Sequence, residues 1–196
     1  MHYQVTQQEI STAKTPHHIF NINVLITHLF ISLIVLEIGQ TIQLLLIPLI
    51  STLVIFYLYY RKKQLALEDS WFVAAHWAIA WRRGRILLIS YAIAIGMVAV
   101  YALFDMMFPG GLSMNDFSSE GTQTNLGEII TIRFSAVVIF VAILITFMQT
   151  GISVYDAGKG IVDPSIAKLV PRGPNANIEL GEGSDEVQHE NVKKKD

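Results

Sequence analysis

Apolar residues in this chain gather into long runs, and the longest of them extends from Ile19 to Tyr60. This run contains no lysine, arginine or aspartate and a single glutamate. One helix of that length would measure roughly 63 Å at about 1.5 Å per residue, which is about twice the ~30 Å thickness of the hydrocarbon layer of a bilayer. Because Glu37, Gly39 and Gln40 interrupt the run near its midpoint, the pattern predicts a hairpin of two membrane spans.

Two further apolar runs, at 86–108 and 133–155, each have the length of one span. The sequence therefore predicts an all-α integral membrane protein with four transmembrane helices. Hydrophobic residues make up 52% of the chain and charged residues 15%, which leaves no room for a separate soluble domain. The predicted segments are a tail at 1–18, the transmembrane hairpin at 19–60, a basic segment at 61–85, the third span at 86–108, an extracytoplasmic loop at 109–132, the fourth span at 133–155 and a second tail at 156–196.

The basic residues set the predicted orientation. All of the 14 lysine and arginine residues except Arg133 fall in the two tails or in segment 61–85. Positive charge is enriched on the cytoplasmic side of membrane proteins, so both termini are predicted to be cytoplasmic, with a bacterial inner membrane as the simplest setting. The first 18 residues are mostly polar and lack the pattern of a signal peptide, so we expect a retained first span.

Segment 61–85 contains all three tryptophans of the chain, spaced so that they share one face of a helix beginning near Ser70. The pattern predicts an amphipathic helix on the cytoplasmic membrane surface, with the indoles among the headgroups and the arginines facing anionic lipid. Gly84 is the predicted bend into the third span. The predicted membrane-interface residues are Trp71, Trp77, Trp81, Arg82, Arg83 and Arg85.

Small residues in the third span predict a packing surface for another helix. Ala92, Gly96 and Ala99 follow one another on one helix face, and small side chains let two helices approach closely within a membrane. The tail from Pro164 to Asp196 is rich in proline, glycine, asparagine, glutamate and lysine. Such a composition is typical of disorder, so we expect this tail to become ordered only against a partner.

Two polar side chains are predicted to lie inside the membrane. His28 is near the middle of the first span, and Gln149 belongs to a polar stripe of the fourth. A buried ionisable group in a span suggests a functional role, but a neutral imidazole that bonds a neighbouring helix is the simpler interpretation. A haem-binding site would need a second histidine at the same depth, and no other span contains one.

Catalytic and metal-binding motifs are missing from the sequence. There is no cysteine, which excludes disulfides, thiolate metal sites and iron–sulfur clusters. His17, His18 and His76 are predicted near the cytoplasmic interface without a carboxylate or further histidine at metal-ligand spacing around His76. The chain is therefore predicted not to be an enzyme and to bind no metal, cofactor or nucleic acid.

These patterns predict a non-catalytic accessory or scaffold subunit of a multi-protein inner-membrane complex, of the secretion, conjugation or respiratory type. Its predicted partners are other membrane-protein subunits and anionic lipid, and a homo-oligomer is compatible with the sequence. Two alternatives remain open. One is a small homo-oligomeric channel or transporter that uses His28. The other is a quinone- or haem-binding redox membrane anchor. The three share one topology, and topology alone is a weak argument for function.

Overall fold

The structure, a computed structural model, describes residues 1–38, 45–68, 70–109, 113–115, 123–172 and 176–180. Over this part the chain is mostly helical, with two small antiparallel sheets. The elements in chain order are β1 (His2–Tyr3), α1 (Gln7–Asn23), a π-helical segment (Val24–Ile31), α2 (Ser32–Ile38), α3 (Leu46–Glu68), α4 (Trp71–Met107), β2 (Ser113–Asn115), β3 (Gln123–Asn125), α5 (Leu126–Gly158), a 3-10 helix (Pro164–Lys168) and β4 (Glu179–Leu180).

Three helices of the described chain are long and apolar enough to cross a membrane: the helical run Gln7–Val35, α4 and α5. Their apolar stretches, which contain no lysine, arginine, aspartate or glutamate, are residues 19–35, 86–104 and 134–155. The flanking turns of these helices carry polar and charged side chains. These three apolar stretches are the candidate membrane-spanning segments.

Helix α3, which covers most of the predicted second span, is not among these three helices. Its described apolar stretch ends at Tyr60, and Arg61, Lys62 and Lys63 follow directly. From Leu46 to Tyr60 such a helix measures about 22 Å, less than the ~30 Å of a hydrocarbon layer. The rest of the predicted span and the turn predicted at Gly39 lie within residues 39–44, outside the described chain.

The predicted surface helix and the third span are a single helix in the structure. Helix α4 continues from Trp71 to Met107, so the helix does not end at Gly84. Every residue from Trp71 to Ala80 is buried, which a helix lying on a membrane surface would not achieve. The tryptophan-rich part of α4 is therefore enclosed by other parts of the chain.

The chain divides into two units, residues 1–83 with 148–196 and residues 84–147. Within the first unit we define the head as residues 1–18, 71–83, 156–172 and 176–180. Strand β1 pairs with β4, with His2 opposite Leu180, and His2 also bridges to Ile161. The chain's first strand thus lies between two segments that follow α5.

Local sequence signals explain the start of α1 and the turn that follows α5. Thr6 and Glu9 form a reciprocal capping box at the start of α1, which satisfies backbone N–H groups that have no partner inside the helix. Gly160 has a φ of +69°, a conformation that side chains with a Cβ rarely adopt. A Cβ there would lie 2.8 Å from the Tyr3 carbonyl oxygen, so β1 approaches this turn as closely as glycine permits.

The segment after α5 is ordered against the chain's own N-terminal region, although its composition predicted disorder without a partner. The Gln4 amide donates to the Ile178 carbonyl, and the Trp71 indole N–H donates to the Val170 carbonyl at 2.8 Å. Val162, Ile166 and Val170 are buried. Contacts between residues 99 to 174 positions apart supply the burial that the local composition did not suggest. Residues 181–196 lie outside the described chain.

The second unit holds the remainder of α4, the β2–β3 hairpin and α5 up to Phe147. Ser113 pairs with Asn125 across the hairpin. The Asn125 side chain accepts from the Glu128 amide at the start of α5 and from the Tyr101 hydroxyl of α4. Further along, the Ser135 hydroxyl donates to the Ala94 carbonyl at 3.4 Å, so α4 and α5 pack together. Parts of the predicted loop at 109–132, residues 110–112 and 116–122, are outside the described chain.

Candidate functional site

Two histidines that are 59 positions apart in the sequence meet in the head. Nε2 of His17, on α1, lies 3.0 Å from Nδ1 of His76, on α4, with the two rings perpendicular. Neither side chain is exposed to solvent. A single hydrogen bond of this kind requires one ring to donate and the other to accept. The histidine pair thus joins the first helix of the chain to the enclosed end of α4.

Burial keeps both rings neutral. The histidine pair lies in the head, outside the membrane-spanning segments. Burial, and then the charges of His76 and Arg83, hold the pKa of His17 well below its usual value. Burial also lowers the pKa of His76 to about 4, although the nearby Ile161 carbonyl opposes this shift. At neutral pH both imidazoles are therefore uncharged, as expected for groups desolvated in a protein core.

Several buried polar atoms around the pair have no hydrogen-bond partner among the described residues. They are the second ring nitrogens His17 Nδ1 and His76 Nε2, together with Trp77 Nε1 and Arg83 Nη1. The Phe72 ring packs against His76 with the ring centroids 4.7 Å apart. In the part of the chain that is described, no group of three or more metal-ligating side chains is present. The ring contact of His76 with His17 thus packs α1 against this end of α4.

Two of the three tryptophans predicted at the membrane interface belong to the interior of the head. Trp71 is 6% exposed and Trp77 is 3% exposed, and Trp81 is half-buried with its ring 4.7 Å from that of Tyr59. The guanidinium of Arg172 lies over both Tyr3 and Trp71, at 5.3 and 5.2 Å from the ring centroids. These contacts make Trp71 and Trp77 core residues.

The three arginines predicted beside them have different surroundings. Arg82 is exposed and donates to the Ser165 hydroxyl at 2.9 Å. Arg83 is half-buried, and burial lowers its pKa to about 10 against the opposing attraction of Asp156. Arg85 is exposed at the start of the apolar stretch of α4.

A buried network of hydrogen bonds links the end of α1 and the π-helical segment to α3. The sequence did not single out this network. The Thr27 hydroxyl donates to the Asn23 side-chain oxygen, and the Asn23 amide donates to the Ser51 hydroxyl at 2.9 Å. All three side chains are buried. In the sequence of α3, a serine in an apolar run is the only signal of this contact. Serine in a helix commonly bonds a carbonyl of its own helix rather than a neighbouring helix.

Of the two polar residues that were predicted inside the membrane, His28 lies next to this hydrogen-bond network in the sequence and Gln149 lies on α5. His28 is half-buried in the π-helical segment, one residue after Thr27. Gln149 is half-buried on α5, between the buried Thr146 and Thr150. The Thr146 hydroxyl bonds back to the Ala142 carbonyl of its own helix.

The small-residue face of α4 is open in the second unit. Ala92, Gly96 and Ala99 are exposed, and a Cβ added to Gly96 would meet no atom within 4 Å. An open groove of about 640 Å³ lies beside Gly96, which is the one of these three residues that lines it. Its lining is apolar apart from the polar groups of Tyr101 and Thr131, and consists of Ile93, Gly96, Met97, Val100, Tyr101, Phe104 and Thr131.

Comparison with protein families, with characterised proteins and with solved structures finds no match to this chain.

Proposed function

We propose that the chain crosses the membrane four times, with α3 as the second crossing. The paired strands β1 and β4 supply the main support. Two strands that are hydrogen-bonded in one sheet lie on the same side of a membrane. The chain between β1 and β4 must therefore cross the membrane an even number of times. Because three helices already have the length and composition of a span, an even number requires a fourth, and α3 is the remaining long apolar helix.

The way in which helices enter and leave the head supports the same topology. Helix α1 begins in the head and α3 returns to it, since Arg61 lies over Trp77 and Tyr59 packs on Trp81. Helix α4 then begins in the head with Trp71, and α5 ends there with the buried Ala157. This alternation is what four antiparallel spans produce. The excess of lysine and arginine on this side supports a cytoplasmic head in a bacterial inner membrane.

We propose that the protein acts as a non-catalytic accessory or scaffold subunit of a multi-protein membrane complex. The groove beside Gly96 carries this proposal. Within a membrane, helices associate through close packing at small residues, and this face of α4 has the space for a partner helix. The side chains best suited to catalysis or ligand binding, those of His17, His76 and Trp77, are instead buried in the packing of the head.

The test is purification of the native complex from membranes with either of two matched variants. Gly96→Leu fills the groove, whereas Gly151→Leu adds the same side chain at another exposed glycine of a spanning helix with nothing within 4 Å. We expect stoichiometric foreign subunits to co-purify with the wild type and with Gly151→Leu, and to be lost or strongly reduced with Gly96→Leu. Equal recovery with both variants, or a wild-type protein that purifies alone, would contradict the proposal.

A further inference from the structure

Burial of the tryptophans in the head leaves other side chains to meet the membrane surface. Membrane proteins commonly place amphipathic aromatic rings and then basic residues at the end of a span. With Trp71 and Trp77 enclosed, the exposed aromatic residues at the ends of α3 and α5 take this position. Tyr60 is 61% exposed and Tyr155 is 63% exposed, whereas the neighbouring Tyr59 is half-buried with its ring packed on Trp81.

Both helices repeat the same arrangement at this end. On α3 the ammonium of Lys63 lies 4.8 Å from the centre of the Tyr59 ring, and just after α5 the ammonium of Lys159 lies 6.0 Å from the Tyr155 ring. Each lysine follows its tyrosine by four residues, which is the spacing that brings two side chains together on a helix. We call these two pairs the tyrosine–lysine pairs.

Both lysines are available to a ligand. Lys63 and Lys159 are exposed, and within the part of the chain that the structure describes neither forms an ion pair with a carboxylate. Asp156, the nearest acidic residue in sequence to Lys159, interacts electrostatically with Arg83. Each pair thus presents an ammonium held against an aromatic ring, directly beyond an apolar stretch.

We propose that the tyrosine–lysine pairs bind the phosphate groups of anionic phospholipids at the cytoplasmic membrane surface. The ammonium supplies the charge that attracts an anionic headgroup, and the position beyond the apolar stretch puts it at headgroup depth. The tyrosines of α3 and α5 thereby take the interface position that the sequence assigned to Trp71 and Trp77, which are enclosed. This inference rests on the proposed insertion of α3 and α5 in the membrane and is independent of the partner subunit.

Native mass spectrometry of the full chain in mild detergent tests the proposal, with phosphatidylglycerol and phosphatidylcholine as the added lipids. The variants are Lys63→Gln, Lys159→Gln and their combination. Lys168→Gln is the matched control because Lys168 is an exposed lysine of the head that follows the apolar stretch of α5 by 13 residues. We expect the wild type to prefer phosphatidylglycerol. Each of the two substitutions should weaken phosphatidylglycerol binding about fivefold, from roughly 1 kcal/mol per basic residue near an anionic surface.

The control should bind phosphatidylglycerol as the wild type does, and phosphatidylcholine binding should be the same for all variants. Equal binding of both lipids by the wild type would overturn the proposal, as would an equal loss with Lys168→Gln. Competition by inorganic phosphate as effective as that by phosphatidylglycerol would assign the pairs to free phosphate instead. Co-purification of partner subunits with the double variant separates this result from the proposed subunit role, which depends on Gly96.

Discussion

At the scale of single residues, the histidine pair shows what a local reading of the sequence cannot supply. The sequence marked His17 and His76 as interfacial residues without metal-ligand neighbours. The structure brings them to 3.0 Å from each other inside the head. No periodicity relates two residues that are 59 positions apart, so their contact follows only from the tertiary packing of α1 on α4.

Neighbouring histidines of α1 offer a matched test of this contact. His17→Ala leaves Nδ1 of His76 without its partner in a buried site, which costs about 1–3 kcal/mol of unfolding free energy. His18 is exposed on the same helix, and an exposed substitution of this kind changes stability by about 0.5 kcal/mol or less. Tryptophan fluorescence during denaturation in mild detergent measures both variants. Equal stability of the two would mean that the pair does not hold α1 on α4.

Glu9 connects the start of α1 to the segment that follows α5. Its carboxylate accepts from the Thr6 amide at 2.7 Å and from the Asn177 side chain at 2.8 Å. It lies in the polar first turn of α1, outside the membrane-spanning segments. Burial raises the pKa of this carboxyl, but the hydrogen bonds from Thr6 and Asn177 outweigh burial and lower the pKa from its ordinary 4.5 to about 2.

A lowered pKa makes the contribution of Glu9 dependent on pH. Since the unfolded chain takes up the proton more readily, the stabilisation is complete above about pH 4.5 and is lost as the pH falls through about 2. Glu9→Gln should therefore be less stable than the wild type at neutral pH and approach it near pH 2. Denaturation midpoints in detergent between pH 2 and pH 7 give this comparison, and a difference that stays constant over the whole range would rule the linkage out.

At the scale of elements, the sequence predicts the apolar helices. It does not predict that α1 and α4 begin before their apolar stretches and that these first turns form part of the head. The apolar runs of α1, α4 and α5 have span length in the structure, because length and hydropathy are local properties. The spacing of Trp71, Trp77 and Trp81 was correctly assigned to a helix. An amphipathic pattern is the same for a helix on a membrane and for a helix covered by distant segments, so it could not reveal the burial of residues 71–80.

The turn at Gly160 is the element that holds β1 in place, and it allows a sharp prediction. Gly160→Ala imposes a left-handed conformation that costs about 1–2 kcal/mol, and its Cβ would meet the Tyr3 carbonyl. We expect β1 to detach and the segment after α5 to become sensitive to protease. Gly151→Ala is the control, since Gly151 is helical and has open space around it. Equal protease resistance of the two variants would contradict the role of this turn.

At the scale of the whole chain, the head explains why residues 164–172 and 176–180, in a tail of disordered composition, are ordered. Residues 156–172 and 176–180 bury apolar side chains and exchange backbone hydrogen bonds with residues 1–4. Two further hydrogen bonds join them to α4, from the Trp71 indole to the Val170 carbonyl and from the Phe72 amide to the Asn177 side chain. The same pairing of N-terminal and C-terminal strands is the basis of the proposed four-span topology. The proposed subunit role depends on that topology, since it determines which faces of α4 and α5 lie within the membrane.

Labelling of single cysteines tests this topology most directly, because the chain has no cysteine of its own. Cysteines replace five exposed residues, namely Gln8, Glu37, Lys63, Glu128 and Lys168, and right-side-out membrane vesicles are treated with a membrane-impermeant maleimide. Glu37→Cys and Glu128→Cys should react at once, whereas Gln8→Cys, Lys63→Cys and Lys168→Cys should react only after permeabilisation. Labelling of Gln8→Cys and Lys168→Cys from opposite sides, or of Lys63→Cys from outside, would contradict a chain that crosses four times with both ends in one cytoplasmic head.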